Sequence, residues 1–342
     1  MKHAIFILLY DTAYMRDYIK RYPGKDVILT QEYIKKTDDL NNELIQMVQQ
    51  YPGTARFNLK FYTQPFKFIK DFVRQSKNVA GVLNFCDDHT DQTALLSISA
   101  LFEMFGVPCS GFTTRSLMTS HNKFYSCSVV KELGINVPET HFCTKHNVRD
   151  MHITRFPVII KPIDEGGSEG IDFCNVVHDQ NQLTSIVNDI TSKYGDAIVQ
   201  EFLPGSEVTI GVFRHGNEII PTEPRMSRFI NFDDVPAIIA SNVKWHLDKK
   251  HEVVISTFDG DKTIKEQLIN DTIRIFKTFN CRDFARVDWK QDANGVYRFI
   301  DYNENPGYYS TSLFRWCLVN KGLTFPDLIH AIIDNLIARI KN

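Results

Sequence analysis

Two hydrophobic periods alternate along the first third of the chain. HAIFILLY is a continuous apolar run of strand length, whereas DLNNELIQMVQQY sets Leu40, Leu44, Ile45 and Val48 at helical spacing. FKFIKDFVRQ is a second helical segment and VAGVLNF a second buried strand. DQTALLSISALFEMFG follows as a helix that Gly106 stops. Strand–helix–strand order of this kind predicts an open, largely parallel sheet. The run SGFTTRS breaks the periodicity, which sets an expected boundary near Gly111.

Beyond it, NKFYSCSVVKELG reads as a helix with a glycine stop, and VPET as a turn. Strands then become denser: FPVIIKP, IDFCNVV, AIVQEFL, and EVTIGVF joined to EIIP through the polar turn RHGN. Residues 179–194 and 263–279 are amphipathic helices, and FPDLIHAIIDNLIARI is a terminal helix with Ile and Leu on one face. Residues 222–250 show no clean period and are expected to form a long loop. The expected class is α/β followed by α+β, with an N-terminal open parallel α/β unit over 1–112, a central unit over 113–205 and a C-terminal unit over 206–342.

Composition narrows function mainly by exclusion. The 342 residues are 43% hydrophobic and 23% charged, an ordinary globular balance, and the net charge of -2 gives no case for nucleic acid or an acidic membrane. Seven cysteines without short paired spacing argue against a disulfide framework or a zinc site and for buried thiols in a reducing cytosol. The apolar AIFILLY is at the short limit of a signal-peptide core and runs into Asp11 without a small-residue cleavage site, so it reads as a first strand. No run is long enough to span a bilayer.

Three segments could carry chemistry. FARVDW and VYRFIDYN flank the turn DANG; alternation puts Arg286 and Asp288 on one face, and Asp301 and Asn303 on one face. If the hairpin folds about DANG, Asp288 lies by Asp301 and Arg286 by Asn303. Two carboxylates and an amide oxygen suit magnesium, although a solvated edge-strand face is the plainer alternative. In FPVIIKPIDEGGSEG a strand delivers Lys161, and the loop of Gly166, Gly167, Ser168 and Gly170 lets backbone amides approach anionic oxygens, or is simply a turn. AIVQEFLPGSE ends a strand with Gln200, Glu201, Phe202 and Leu203, a purine-type edge, with Glu207 beyond to accept from ribose hydroxyls or to sit in solvent.

The ordered set Lys123, KPIDEGGSEG, VQEFLPGSE, RVD and IDYNENPG resembles the ATP-grasp superfamily, nearest its D-alanine–D-alanine ligase branch, over roughly residues 80–342. The resemblance implies an ATP-grasp fold and an ATP-dependent ligase that forms C–N bonds. It assigns Lys123 and Lys161 to the phosphates, with Lys244 in ASNVKWH reaching the transferred one. Gln200 to Leu203 would hold adenine and Glu207 the ribose. Asp288, Asp301 and Asn303 would bind two magnesium ions, with manganese as an alternative. Arg286 and the Gly307 amide would face the tetrahedral oxyanion, Ser168 would help close the glycine loop, and Ser312 and Leu313 would hold the carboxylate of the second amino acid.

The partners implied are small amino-acid or carboxylate substrates, in a cytoplasmic protein for which a homodimer stays open. Two alternatives remain: an ATP-grasp enzyme activating another small carboxylate, and a catalytically silent nucleotide-binding protein. The chain departs from the family at the first-substrate side. LLYDTAYMRDY replaces a glycine-serine turn and its glutamate, leaving Asp11 as a nearby acid. NFCDDHTDQTAL, with His89 and Asp91, and RMSRFINFDDVP replace two further family segments.

Overall fold

The structure, a computed structural model, describes residues 3–10, 31–86, 92–148, 151–244, 248, 250–308, 312–319 and 321–341. The N-terminal sheet has β1 (Ala4–Leu8) at its centre, parallel to β2 (Asn58–Tyr62) on one side and β3 (Val79–Asn84) on the other. Alternate β1 residues enter different cores. Ile5 and Ile7 meet Leu40, Leu44 and Val48 of α1 (Gln31–Gln50) and the terminal helix, while Phe6 and Leu8 meet Phe68 and Phe72 of α2 (Pro65–Gln75) and Phe102 of α3 (Gln92–Met104). Cover on both faces is why β1 reads as an unbroken apolar run.

Two short helices, α4 (Thr114–His121) and α5 (Lys123–Glu132), lead to an antiparallel sheet of order β4-β7-β5-β6. Its strands are β4 (Thr140–Cys143), β5 (Val158–Pro162), β6 (Val176–Val177) and β7 (Ala197–Glu201), backed by α6 (Gln180–Tyr194). The third sheet is antiparallel, in the order β11-β10-β8-β12-β13 with β9 beside β8. It contains β8 (Glu207–His215), β9 (Glu218–Pro221), β10 (Arg225–Ile230), β11 (Glu252–Thr257), β12 (Phe284–Gln291) and β13 (Tyr297–Asn303). A short turn of helix, α7 (Ser241–Lys244), precedes β11, and α8 (Lys262–Phe279) packs on the apolar face of this sheet. The chain ends in α9 (Leu313–Val319) and α10 (Phe325–Lys341); α10 crosses back to the N-terminal sheet and joins its core.

Several expectations change. Residues 222–250 are not one loop: β10 pairs with both β8 and β11, and α7 follows. RMSRFI carries a weak local period, and its partners are distant strands, so the ladder rather than the pattern makes it a strand. IDFCNVV is extended only at Val176 and Val177, because Asp172 and Asn175 form a capping box over a 3-10 turn at Phe173–Asn175. The strands β2 and β4 and the short helices α4 and α9 carry too little periodicity to be read locally. All seven cysteines are free thiols, but Cys174 is exposed rather than buried. Among the described residues no helix is long and apolar enough to cross a membrane.

Candidate active site

The hairpin β12–β13 folds about DANG with Arg286 opposite Asn303 and Asp288 opposite Asp301. On its other side β12 pairs with β8, setting Gly211, Thr209 and Glu207 against Arg286, Asp288 and Lys290. Strand alternation therefore gathers Thr209, Arg286, Asp288, Asp301 and Asn303 on one face, while Val208, Ile210, Val287 and Tyr302 enter the core beneath α8. Gly211 stays bare for a steric reason: a Cβ there would lie 2.7 Å from the Phe314 ring, which packs over this row from α9.

On that face Arg286 and Asp288 compensate one another. Asp288 accepts from Arg286 Nη2 at 2.7 Å and Nε at 3.1 Å, from Thr209 Oγ1 at 2.8 Å and from Asn303 Nδ2 at 3.1 Å. Burial opposes the Arg286 charge, but the Asp288 contact outweighs it and holds its pKa above the ordinary value. The Asp301 carboxylate, across the ladder, has no hydrogen-bond partner among the described residues. Hard oxygens from Asp288 and Asp301 on one face, with the Asn303 amide beside them, fit a divalent cation that would supply the missing partner.

The four-stranded sheet supplies cations. Lys161 donates to Gln200 Oε1 at 2.9 Å, and burial pushes its pKa down against the opposing pull of Asp301. Gln200 is fully buried; its amide also donates to Thr140 Oγ1 at 3.0 Å, so its side chain aims Lys161. Lys123 opens α5 and reaches the Glu165 carbonyl at 2.6 Å, tying that helix to the glycine loop. In the loop Gly167, Ser168 and Gly170 have φ of +65°, +68° and +69°. The left-handed backbone closes tight turns, with the Glu169 N–H donating to the Gly166 carbonyl at 3.0 Å and the Ile171 N–H to that of Ser168 at 3.1 Å, and a non-glycine at such a φ costs about 1 kcal/mol. Lys244 lies over this loop: a Cβ on Gly167 would stand 3.8 Å from its Nζ.

Behind the loop, Ser120 and His121 hold the buried Glu304 at 2.9 and 3.3 Å, and the other ring nitrogen of His121 meets the Asp164 carbonyl. Burial opposes the imidazolium, but Glu304 outweighs it and raises the His121 pKa.

The strand edge after β7 borders an apolar cluster. Phe202 packs with Ile159, Val176, Ile238, Ala240 and Val243. Glu201 accepts from Arg298 at 3.2 Å, while the N–H of the buried Leu203 has no partner among the described residues. An unpaired amide beside an apolar wall fits a heteroaromatic acceptor such as adenine. Glu207 uses Oε1 on Lys290 at 3.0 Å.

The turn after β13 is anchored at both ends. Asn305 donates to the Cys86 carbonyl at 2.9 Å, and Tyr308 is buried among Phe85, Phe284, Phe314 and Phe325. Gly307 lies between them and is partly exposed. Ser312 Oγ accepts from the Arg315 N–H at 3.3 Å, which makes it a cap for α9, and Leu313 begins that helix. A cap was not the role expected of Ser312, whose carbonyl also accepts from the Trp316 N–H at 3.2 Å.

A family model described as the D-ala D-ala ligase C-terminus matches residues 129–334. The chain belongs to that family. Among its relatives, the D-alanine–D-alanine ligase of Aquifex aeolicus (strain VF5) is 27% identical over 240 residues, 69% of this chain and 76% of that protein. The structure of a D-alanine–D-alanine ligase from Bacillus anthracis complexed with ATP superposes with a TM-score of 0.69 at 16% identity, covering 99% of each chain. VanG D-Ala:D-Ser ligase from Enterococcus faecalis gives 0.70 at 18% identity, over 99% of this chain and 100% of that one. The architecture is thus the ATP-grasp fold preceded by an open parallel α/β unit, as expected.

On the N-terminal side two polar contacts fix the elements near the site. Asn41 clamps the end of β1, accepting from the Tyr10 N–H at 3.2 Å and donating to its carbonyl at 3.0 Å. Glu43 binds Arg315 through two hydrogen bonds of 3.2 and 2.6 Å, joining α1 to α9. Asp11, His89 and Asp91 lie outside the described residues. Sequence reasoning missed Thr209, Lys290 and the Ser120–His121–Glu304 cluster. Thr209 did carry a signal: EVTIG alternates Glu207, Thr209 and Gly211 with the core residues Val208 and Ile210.

Proposed function

We propose that this protein is an ATP-dependent carboxylate–amine ligase that joins amino acids or close analogues through an acyl phosphate, releasing ADP and phosphate. The observation that carries the reading is the cross-strand pair Asp288–Asp301, with Arg286 and Asn303 on the same face and Lys161 close enough for its charge to feel Asp301. A scaffold has no need of this concentration of charge on a half-buried sheet face. The Leu203 amide and the wall of Phe202, Ile159 and Val176 would take adenine, and Glu207 the ribose. Lys123, Lys161, Lys244 and the amides around Ser168 would hold the phosphates.

Asp288, Asp301 and Asn303 would hold magnesium, which when bound offsets charge on the phosphate oxygens. The substrate carboxylate oxygen attacks the γ-phosphorus as its bond to the β-phosphate oxygen breaks, so ADP leaves. The amine nitrogen of the second substrate then attacks the acyl carbon. Arg286 and the Gly307 N–H would stabilise the oxyanion, and phosphate departs carrying the amine proton as the C–N bond is completed. Ser312 and Leu313 would orient the carboxylate of the incoming amino acid. Positioning and charge neutralisation suffice, so no protein nucleophile is required. ATP as substrate and seven free thiols agree with a cytoplasmic setting.

The departures of LLYDTAYMRDY and NFCDDHTDQTAL from the family pattern support a second reading within the same chemistry, in which the activated acid is a small carboxylate other than D-alanine. Phosphate release with MgATP and a panel of D- and L-amino acids, alone and in pairs, separates the two. Amino-acid-dependent release is expected; tight MgATP binding without it would sink the ligase reading.

A further inference from the structure

Lys290 is a buried lysine that the proposed chemistry does not use. It lies on β12 directly opposite Glu207 of β8, with 6% of its side chain exposed. Its ammonium donates to Glu207 Oε1 at 3.0 Å and to the Ala237 carbonyl at 2.7 Å, and it sits 4.4 Å from the centroid of the Phe229 ring. A carboxylate, a carbonyl and an aromatic face account for all three N–H bonds. Burial pushes the Lys290 pKa down, and Glu207 opposes that shift.

A buried ion pair of this kind is a weak source of stability, because an apolar side chain of similar volume usually serves as well. Its geometry here does something an apolar residue could not. It fixes one oxygen of Glu207 and leaves Oε2 without a partner among the described residues. It also fastens Ala237, from which the chain runs directly into Ile238 and Ala240 of the apolar cluster around Phe202. One ammonium thus sets both the acceptor for a sugar hydroxyl and the wall beside the base.

We propose that Lys290 is a positioning residue for nucleoside selection: it holds Glu207 so that Oε2 accepts from a ribose hydroxyl, and so lets the site tell ribonucleotides from deoxyribonucleotides. The proposal rests on the reading of Glu207 as the ribose acceptor. Without Lys290 the carboxylate would gain rotamers and carry an uncompensated charge beside the phosphates. Ribose recognition would then weaken more than any contact made by the triphosphate.

The test is equilibrium binding of ADP, 2′-deoxy-ADP and 3′-deoxy-ADP, with magnesium, to the full chain and to Lys290→Met, Lys290→Arg and Glu207→Gln. Wild type is expected to prefer ADP over at least one deoxy analogue by about 10-fold or more, the size of a hydrogen bond to a charged group. Lys290→Met should weaken ADP binding by a similar factor, leave the deoxy analogues within about 2-fold of their wild-type values, and erase the preference. Lys290→Arg keeps the charge without the three-way fit and should fall between; it also serves if the Met variant does not fold. Preference lost in Glu207→Gln but kept at its full wild-type size in Lys290→Met, or in Lys290→Arg where the Met variant does not fold, overturns the role of Lys290 alone. No preference in wild type removes the ribose role of Glu207, and the proposal with it.

Discussion

The two antiparallel sheets prepare their charges in opposite ways. On the six-stranded sheet Arg286, Asp288, Thr209 and Asn303 satisfy one another, and Lys290 satisfies Glu207. On the four-stranded sheet the side-chain partner of Lys161 among the described residues is the neutral Gln200; burial lowers the Lys161 pKa, Asp301 opposes that most, and Lys123 adds to it. Asp301 apart, the first arrangement is compensated within the protein; the second is costly on its own and, in the proposed function, would gain from an anion. One sheet would thus supply preorganised groups, and the other a cation whose compensating charge would be the ligand.

Substitutions can break that contrast. The largest effect is expected from Asp301→Ala, which leaves the Asp288 cluster whole but removes the unpartnered acid: kcat should fall about 1,000-fold with the circular dichroism spectrum unchanged. An active variant would refute the metal assignment.

Lys161→Met and Asp288→Ala then test the two sheets against each other. Lys161→Met should keep or raise the melting temperature while weakening ATP binding about 100-fold, seen by calorimetric titration. Asp288→Ala leaves Arg286 buried without its carboxylate and should lose about 3 kcal/mol of stability in denaturant unfolding. Equal stability losses in the two variants would show that the sheets do not differ as described. Consistent with that difference, saturating MgATP should raise the melting temperature of wild type by more than that of Lys161→Met.

The smallest effect belongs to His121, whose pKa is raised by Glu304 in the folded state. A raised folded pKa means the folded state holds the proton more tightly. The stability this adds is fully present below the unfolded value of about 6.5 and is lost as pH rises through the folded value. His121→Gln should therefore melt a few degrees below wild type at pH 5.5, with the gap closing toward alkaline pH. A gap independent of pH would mean that the imidazolium is not what holds Glu304.

The same contrast explains what the sequence made legible. The hairpin register followed from alternation and a single turn, DANG, so Asp288 opposite Asp301 could be read locally and was found there. The order of Lys161, the glycine loop and the β7 edge also lies within short spans. What escaped reading depends on partners far along the chain: β10 as a strand, Thr209 on Asp288, Lys290 on Glu207, and Glu304 on Ser120 and His121. Ser312 shows the reverse limit, since a serine before LFRWCLV is an ordinary cap signal that its suggested role concealed.

Tyr308 carries one further consequence. Its ring is wedged between Phe85 from the N-terminal sheet, Phe284 from the catalytic sheet, and Phe314 and Phe325 from the last helices. The peptide just before it presents Gly307, so the aim of that amide is inherited from an aromatic joint where three parts of the molecule lean on one another. Trimming Phe85 or Phe325, neither of which need meet a substrate, would let that joint settle and detune the reaction from inside the core. In the proposed function, alignment of the Gly307 amide would thus be partly a property of how the lobes are assembled, and it could drift without any change in the polar groups assigned to the chemistry.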